Sequence, residues 1–266
     1  MIKLVVSDLD GCLLDGQGKL PPGFDEVFHL MEEKGVLFAA ASGRSIAGLK
    51  RPFGEYSSKM AFVSDNGACI YHKEEQLFSR TITRADQLPI FEEARKHKDL
   101  ITIACGLQNA WIQDTAGLSA DETGELKKYY PSWKEGKYEE IPEEVLKIAL
   151  LYFGDIEKNI YPFFEKFNND RLICKVTAFK WIDIYDAGVS KGTGVKAIQE
   201  LLSIGKDETI VFGDYLNDLS MAEHAVRSYA PSNAHEEVRK RFTKTIGSNG
   251  EGAVVEAIRR ELSLPD

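Results

Sequence analysis

Residues 2–14 read IKLVVSDLDGCLL. The opening IKLVVS is short, apolar and rich in β-branched side chains, which is the pattern of a buried strand, and it stops at Asp8. Phe24, Val27, Phe28 and Met31 then recur at helical spacing, with Pro22 near the start and Gly35 just past the end. A second apolar run, 36–41, stops at Ser42-Gly43, and a short helix is expected over about 45–53. A third apolar run, 60–64, ends at Asn66-Gly67. This β-α-β-α-β rhythm requires parallel strands joined by crossover helices, hence an α/β layered domain.

The rhythm changes after about residue 82. A helix is expected over 85–96, then a hairpin of 101–105 with 110–113 around Gly106–Asn109. A polar stretch, 114–144, carries Gly117, Gly124, Pro131, Gly136 and Pro142. A strand over 148–153, a helix over 161–168, and strands over 172–177 and 181–185 complete the segment. Neighbouring strands with no helix between them pair antiparallel, which makes this an α+β unit. From Ser190 the first rhythm returns. Val195 and Ile198 mark a helix, 209–212 a strand ending at Gly213-Asp214, 219–224 a short helix, and 227–230 a short strand. Helices over 234–242 and around Ala253, Val255, Ile258 and Leu262 close the chain. The expectation is one α/β domain, 1–82 with 187–266, split by an inserted domain, 83–186.

The 266 residues are 43 % apolar and 28 % charged, so a folded core is affordable and disorder is excluded. The longest all-apolar runs, 36–41 and 148–153, fall far short of the roughly 20 residues of a membrane-spanning helix. Lys3, Asp8 and Asp10 leave no room for a signal-peptide hydrophobic region. Cys12, Cys69, Cys105 and Cys174 are scattered, with no CxxC, which argues against zinc and disulfides and for a reducing, cytoplasmic location. A net charge of −9 opposes nucleic-acid binding. The basic cluster Arg239, Lys240, Arg241 and Lys244 reads as a solvated helix face.

In open parallel sheets ligands bind beyond the carboxyl ends of the strands. Asp8-Leu9-Asp10-Gly11, Ser42-Gly43-Arg44 and Gly213-Asp214-Tyr215-Leu216-Asn217-Asp218 each follow such a strand. If those strands are neighbours, four carboxylates and a hydroxyl converge. Gathered carboxylates repel, so a fold that collects them binds a cation, and an oxygen-only donor set points to Mg²⁺. Lys191 opens the helix that starts in Ser190-Lys191-Gly192-Thr193-Gly194. A cation there opposes the helix dipole, and it suits a phosphate. A carboxylate nucleophile, a second carboxylate, Mg²⁺, a lysine and a hydroxyl together make a phosphoryl-transfer site.

The motifs DLDGCLL at 8–14, ASGR at 41–44, SDNGA at 64–68, SKGTGV at 190–195, GDYLND at 213–218 and PSNAH at 231–235 resemble the haloacid-dehalogenase-like phosphatases. Their order is most similar to the Cof-type hydrolases, which carry a type IIB cap. The resemblance implies a Rossmann-like parallel-sheet core with an inserted α+β cap domain that sets substrate specificity. It implies Asp8 as nucleophile and metal ligand, and Asp10 as general acid/base that lends its backbone carbonyl to the metal. Asp214 would be a further ligand, with Asp218 behind the metal or acting through water. Leu9 (through its backbone), Ser42, Gly43, Lys191 and Asn217 would bind the phosphate. Two departures stand out: Cys12 occupies a usual threonine position, which bears on fine positioning, and Ser42 replaces a frequent threonine while keeping the hydroxyl.

The function expected from this resemblance is Mg²⁺-dependent hydrolysis of a small phosphorylated metabolite, foremost a sugar phosphate, through an aspartyl-phosphate on Asp8. Two alternatives share the scaffold. A phosphomutase of phosphomannomutase type needs basic groups for a second phosphate, with Arg84, Arg95, Lys127, Lys128 and Lys175 as candidates. A non-catalytic sugar-phosphate sensor is opposed by the joint presence of Asp8, Asp10, Lys191 and Asp214. Trp111, Trp133 and Trp181 all fall in the inserted segment, either in its core or with one ring against a sugar face.

Overall fold

In the computed structural model, which describes residues 1–263, the opening run forms strand β1, Leu4–Ser7, buried at every position. Residues 264–266, assigned from sequence to the split domain, lie outside the described residues. Helix α1, Phe24–Glu33, buries Phe24, Val27, Phe28 and Met31, the four positions its spacing predicts. Strand β2, Leu37–Ala41, helix α2, Ile46–Lys50, and strand β3, Ala61–Ser64, follow. Two further strands, β4, Cys69–His72, and β5, Glu75–Ser79, were not expected. The turn between them holds Lys73 and Glu74 at positive φ, a geometry usually signalled by Asn or Gly, so it left no mark in the sequence.

The second unit spans Ser79–Val189. Its helices are α3, Arg84–Ala94; α4, Ala120–Tyr129; α5, Ile156–Asn159; and α6, Tyr161–Phe164. Its strands are β6, Ile101–Gly106; β7, Ala110–Ile112; β8, Trp133–Glu135; β9, Val145–Leu151; β10, Leu172–Ala178; and β11, Trp181–Asp186. The sheet order is β10-β11-β9-β6-β7-β8, antiparallel except for the parallel β7–β8 edge. Alternate residues of the same strands feed two separate cores. Ala104, Ile148, Leu150, Ile182 and Ile184 pack with Ile90, Phe91 and Phe164. Ile103, Cys105, Ala149 and Leu151 pack with Leu126 and Tyr130. Trp181 is buried in the second core, while Trp111 and Trp133 pack partly buried against one core each, so all three tryptophans serve this unit's own packing. The candidate second-phosphate residues Arg95 and Lys128 are ion-paired within the unit, to Glu139 and Glu125.

The first unit is Met1–Phe78 with Ser190–Asp266. Helices α7, Lys191–Leu202, α8, Leu219–Ala222, α9, Glu236–Arg241, and α10, Ala253–Ser263, alternate with strands β12, Thr209–Phe212, β13, Arg227–Pro231, and β14, Lys244–Ile246. The eight-stranded sheet runs β14-β13-β12-β1-β2-β3-β4-β5, parallel from β14 to β3. β4 pairs antiparallel with β3. Apolar cores line it: Phe24, Phe28, Phe38, Phe53 and Ile258 in one, Val6, Val63, Val195, Ile198 and Met221 in another. The registers Ser7↔Phe212 and Ser7↔Ala40 bring the ends of β12, β1 and β2 side by side. The condition for converging carboxylates is therefore met. Among the described residues, no helix is long and apolar enough to cross a membrane, and all four cysteines are buried and unbridged.

Candidate active site

The chain leaves β1 through a single wide helical turn. Leu13 N donates to Asp8 O and Leu14 N to Leu9 O, at 3.3 and 2.9 Å. Gly11 sits in this turn at φ +78°, where a Cβ would lie 2.4 Å from Asp214 Oδ2. Glycine is therefore what lets the third acidic loop approach the first. Asn233 Nδ2 donates to Gly11 O at 2.7 Å and Asn249 Nδ2 to Leu14 O at 2.8 Å, so the turn is held from the far end of the chain. Cys12 packs in the core behind it, its thiol pushed well up by burial and by Asp8 and Asp214, and so neutral.

Lys191 is the first residue of α7. Ser190 and Thr193 cap that helix reciprocally: Thr193 N donates to Ser190 Oγ at 3.0 Å and Ser190 N to Thr193 Oγ1 at 2.9 Å. Gly67, at φ +105°, lies so close that a Cβ would fall 2.1 Å from Ser190 O, which docks the SDNGA loop directly on this helix start. The Lys191 ammonium is 2 % exposed and donates to Asp8 Oδ1 at 2.5 Å and Asp218 Oδ1 at 2.6 Å. Asp218 Oδ2 accepts from Asp214 N at 2.9 Å and Tyr215 N at 3.0 Å, so its carboxylate is fully engaged. Carboxylate oxygens of Asp8, Asp214 and Asp218 lie within 4.8 Å of one another.

This cluster has three carboxylates against one ammonium. Burial, opposed by Lys191 and reinforced by Asp218 and Asp214, holds the Asp8 carboxyl well above its usual range. Burial and Asp218 push Asp214 up to about 6. Burial works against the charge of Lys191, but Asp218 and Asp8 outweigh it and raise its pKa. Asp214 Oδ1 is buried with no hydrogen-bond partner. An excess of buried negative charge and an orphaned carboxylate oxygen are what a hard divalent cation satisfies.

Asp10 stands apart from the cluster. Its carboxylate turns to Arg44, which donates from Nε at 2.8 Å and from Nη2 at 2.6 Å, so any contribution of Asp10 to a cation would come from its backbone. Ser42, 3 % exposed, accepts at Oγ from Arg44 N at 3.2 Å. Asn66 N donates to Ser42 O and Asp65 N to Arg44 O, both at 3.0 Å. Asp65 and Asn66 both occupy the left-handed region, at φ 50° and 60°, to do so. Asn217 Nδ2 donates to Asn66 Oδ1 at 3.1 Å, and Asn66 also lies against Gly43. The structure thus joins Asp8, Leu9, Asp10, Ser42, Gly43, Lys191, Asp214, Asn217 and Asp218 through direct contacts or immediate chain neighbours. Arg44, Asn66, Asn233 and Asn249 are functional contacts that no local pattern marks: the first three lie inside the motifs at 41–44, 64–68 and 231–235, and Asn249 has no signal beyond a polar turn.

The sequence profile of the haloacid dehalogenase-like hydrolases matches residues 5–258. The chain belongs to that family. The 5-amino-6-(5-phospho-D-ribitylamino)uracil phosphatase YbjI of Escherichia coli is 24 % identical over 98 % of this chain and 96 % of its own. The structure of SMU.1108c from Streptococcus mutans superposes with a TM-score of 0.87 at 24 % identity, covering 99 % of this chain and 100 % of the other. The subclass IIB sugar phosphatase BT4131 superposes with a TM-score of 0.79 at 21 % identity, covering 97 % and 98 %. The mixed α/β fold of this haloacid dehalogenase-like hydrolase, with its parallel-sheet core, is that of its structural relatives.

Proposed function

We propose that this hydrolase is a Mg²⁺-dependent phosphatase of a small sugar or polyol phosphate, working through an aspartyl-phosphate on Asp8. The observation that carries the reading is the buried Asp8–Lys191–Asp218 arrangement beside the orphaned Asp214 oxygen. Asp8, Asp214 and the Asp10 backbone carbonyl are the groups that would hold Mg²⁺; when bound, it would neutralise charge on the phosphoryl oxygens. Asp218 is saturated by Lys191 and two backbone N–H groups, so it serves to fix Lys191 and the 213–218 loop.

In the first step an Asp8 carboxylate oxygen bonds to phosphorus. The ester P–O bond breaks, its electron pair stays on the leaving oxygen, and Asp10 supplies the proton. In the second step Asp10 takes a proton from water as that water attacks phosphorus, and the bond to Asp8 breaks to release phosphate. Ser42, the Gly43 and Leu9 amides, Lys191 and Asn217 would hold the phosphoryl oxygens. Two similar proteins support the substrate class: one is a phosphatase of a phosphoribityl compound, and a structural neighbour is a sugar phosphatase. A screen of sugar and polyol phosphates, ranked by kcat/KM, tests the reading. Turnover is expected with Mg²⁺ and to vanish with chelator. Turnover that survives chelation, or a bisphosphate requirement with no phosphate release, would overturn it.

The second unit is proposed as a cap that recognises the non-phosphate part of the substrate. All the catalytic groups above belong to the first unit, and each unit has apolar cores of its own. Replacing 83–186 with a short Gly/Ser linker is therefore expected to leave a folded protein that binds Mg²⁺ and cleaves p-nitrophenyl phosphate. Its kcat/KM values for different metabolites should converge to within about tenfold, since a tenfold preference corresponds to about 1.4 kcal/mol of differential binding. A folded deletion variant that keeps the full-length ranking would move specificity into the loops of the first unit.

A further inference from the structure

The structure assigns a positioning role to Arg44: we infer that its guanidinium sets the orientation of the Asp10 carboxylate for acid–base catalysis. This rests on the acid/base reading of Asp10 given above. Both Asp10 oxygens are held, one by Nε and one by Nη2, in the planar two-point geometry that only arginine offers. The fork is itself mounted rigidly. Arg44 N donates to Ser42 Oγ, Arg44 O accepts from Asp65 N, and Nη1 reaches Gly48 O at 3.4 Å. The phosphate-loop residue Ser42 and the orientation of Asp10 are thus fixed by one loop.

The exposure of the two side chains separates this role from a structural one. Arg44 is 13 % exposed, but Asp10 is 50 % exposed, so the carboxylate stays within reach of solvent and substrate. An ion pair that open to water adds little to stability, at most about 1 kcal/mol. Its value lies in geometry, because a misplacement of about 1 Å in a catalytic group costs on the order of 10²-fold in rate.

The test uses p-nitrophenyl phosphate and phenyl phosphate, which are nearly the same size but differ in leaving-group basicity. Phenolate needs the proton from Asp10 far more than nitrophenolate does. Arg44→Met is expected to lower kcat/KM for phenyl phosphate by about 10–100-fold, at or below the lower end of the 10²–10⁴-fold range of acid–base catalysis, and for p-nitrophenyl phosphate only a few-fold. KM should stay nearly constant, and thermal stability should match the wild type. Arg44→Lys keeps the charge without the two-point grip and should fall between. Asp10→Asn should show the same leaving-group dependence, and adding Arg44→Met to it should cost nothing more. A raised KM with equal losses on both esters would make Arg44 a phosphate ligand and overturn the proposal. So would a further loss in the Asp10→Asn background, or a large drop in stability. If Asp10→Asn alone loses no rate on phenyl phosphate, the acid/base reading itself falls, a result distinct from Arg44→Met failing while Asp10→Asn behaves as expected.

Discussion

Asp8→Asn is expected to abolish turnover while leaving the protein folded and no less stable. An amide is nearly the same shape as a carboxylate, but it is a poor nucleophile and a poor ligand for a hard cation. With the covalent route closed, kcat should fall by at least about four orders of magnitude, or about 5 kcal/mol of barrier. Stability should move the other way or not at all. Asp8 is buried and pushed well above its usual pKa by burial and by Asp218 and Asp214 against the pull of Lys191, so its charge is costly in the metal-free protein. Removing that charge leaves Lys191 paired with Asp218. Thermal unfolding in chelator should therefore give a midpoint equal to or above that of the wild type. Acid-quenched wild-type protein should carry phosphate on Asp8, and the variant should carry none. More than about a hundredth of wild-type turnover from a folded variant would reject a covalent mechanism.

The parts of the molecule that were legible in the sequence share a physical cause. Strands β1, β2, β3 and β12 lie in the interior of a parallel sheet covered on both faces, so they appear as unbroken apolar runs. The acidic and small residues at their ends then mark the site by position alone. What was illegible had weaker burial. Helix α4 buries only Leu126 and carries Gly124, so its apolar periodicity is faint, although the Ser119–Glu122 capping box was there to be read. Strand β8 is three residues with no buried position, and β14 is likewise short and largely exposed. The two-point grip of Arg44 on Asp10 spans 34 positions in sequence, and no local pattern announces such a pair. The same holds for Asn233 and Asn249, which reach the turn after β1 across 222 and 235 positions.

Lys191→Met should have the largest effect on stability of any single change in the site, and it should be conditional on metal and pH. The ammonium is buried and satisfies Asp8 and Asp218 together. Methionine fills similar volume, so the loss is one of charge rather than of packing. It leaves three close carboxylates with no cation among them. Removing one partner of a buried ion pair costs about 3–5 kcal/mol, and that is the destabilisation expected at pH 8 in chelator. Two conditions should narrow the gap to wild type. Mg²⁺ held as proposed would bind only the folded state and take over part of the neutralisation, so it should raise the midpoint of the variant more than that of the wild type. Acid should act in the same direction. Asp214 is held up to about 6, and Asp8 is raised as well, both without losing Lys191. Groups whose folded pKa exceeds the unfolded value destabilise the fold when ionised, and that penalty is relieved as pH falls through the folded pKa. The stability difference should thus shrink as pH drops from 8 to about 6 and below. Turnover should fall by about 10²–10³-fold even with saturating Mg²⁺, because the charge proposed to face the transferring group is gone. A variant as stable as wild type at pH 8 without metal would mean that the carboxylates are neutralised by something other than Lys191, and the electrostatic account of this site would fail.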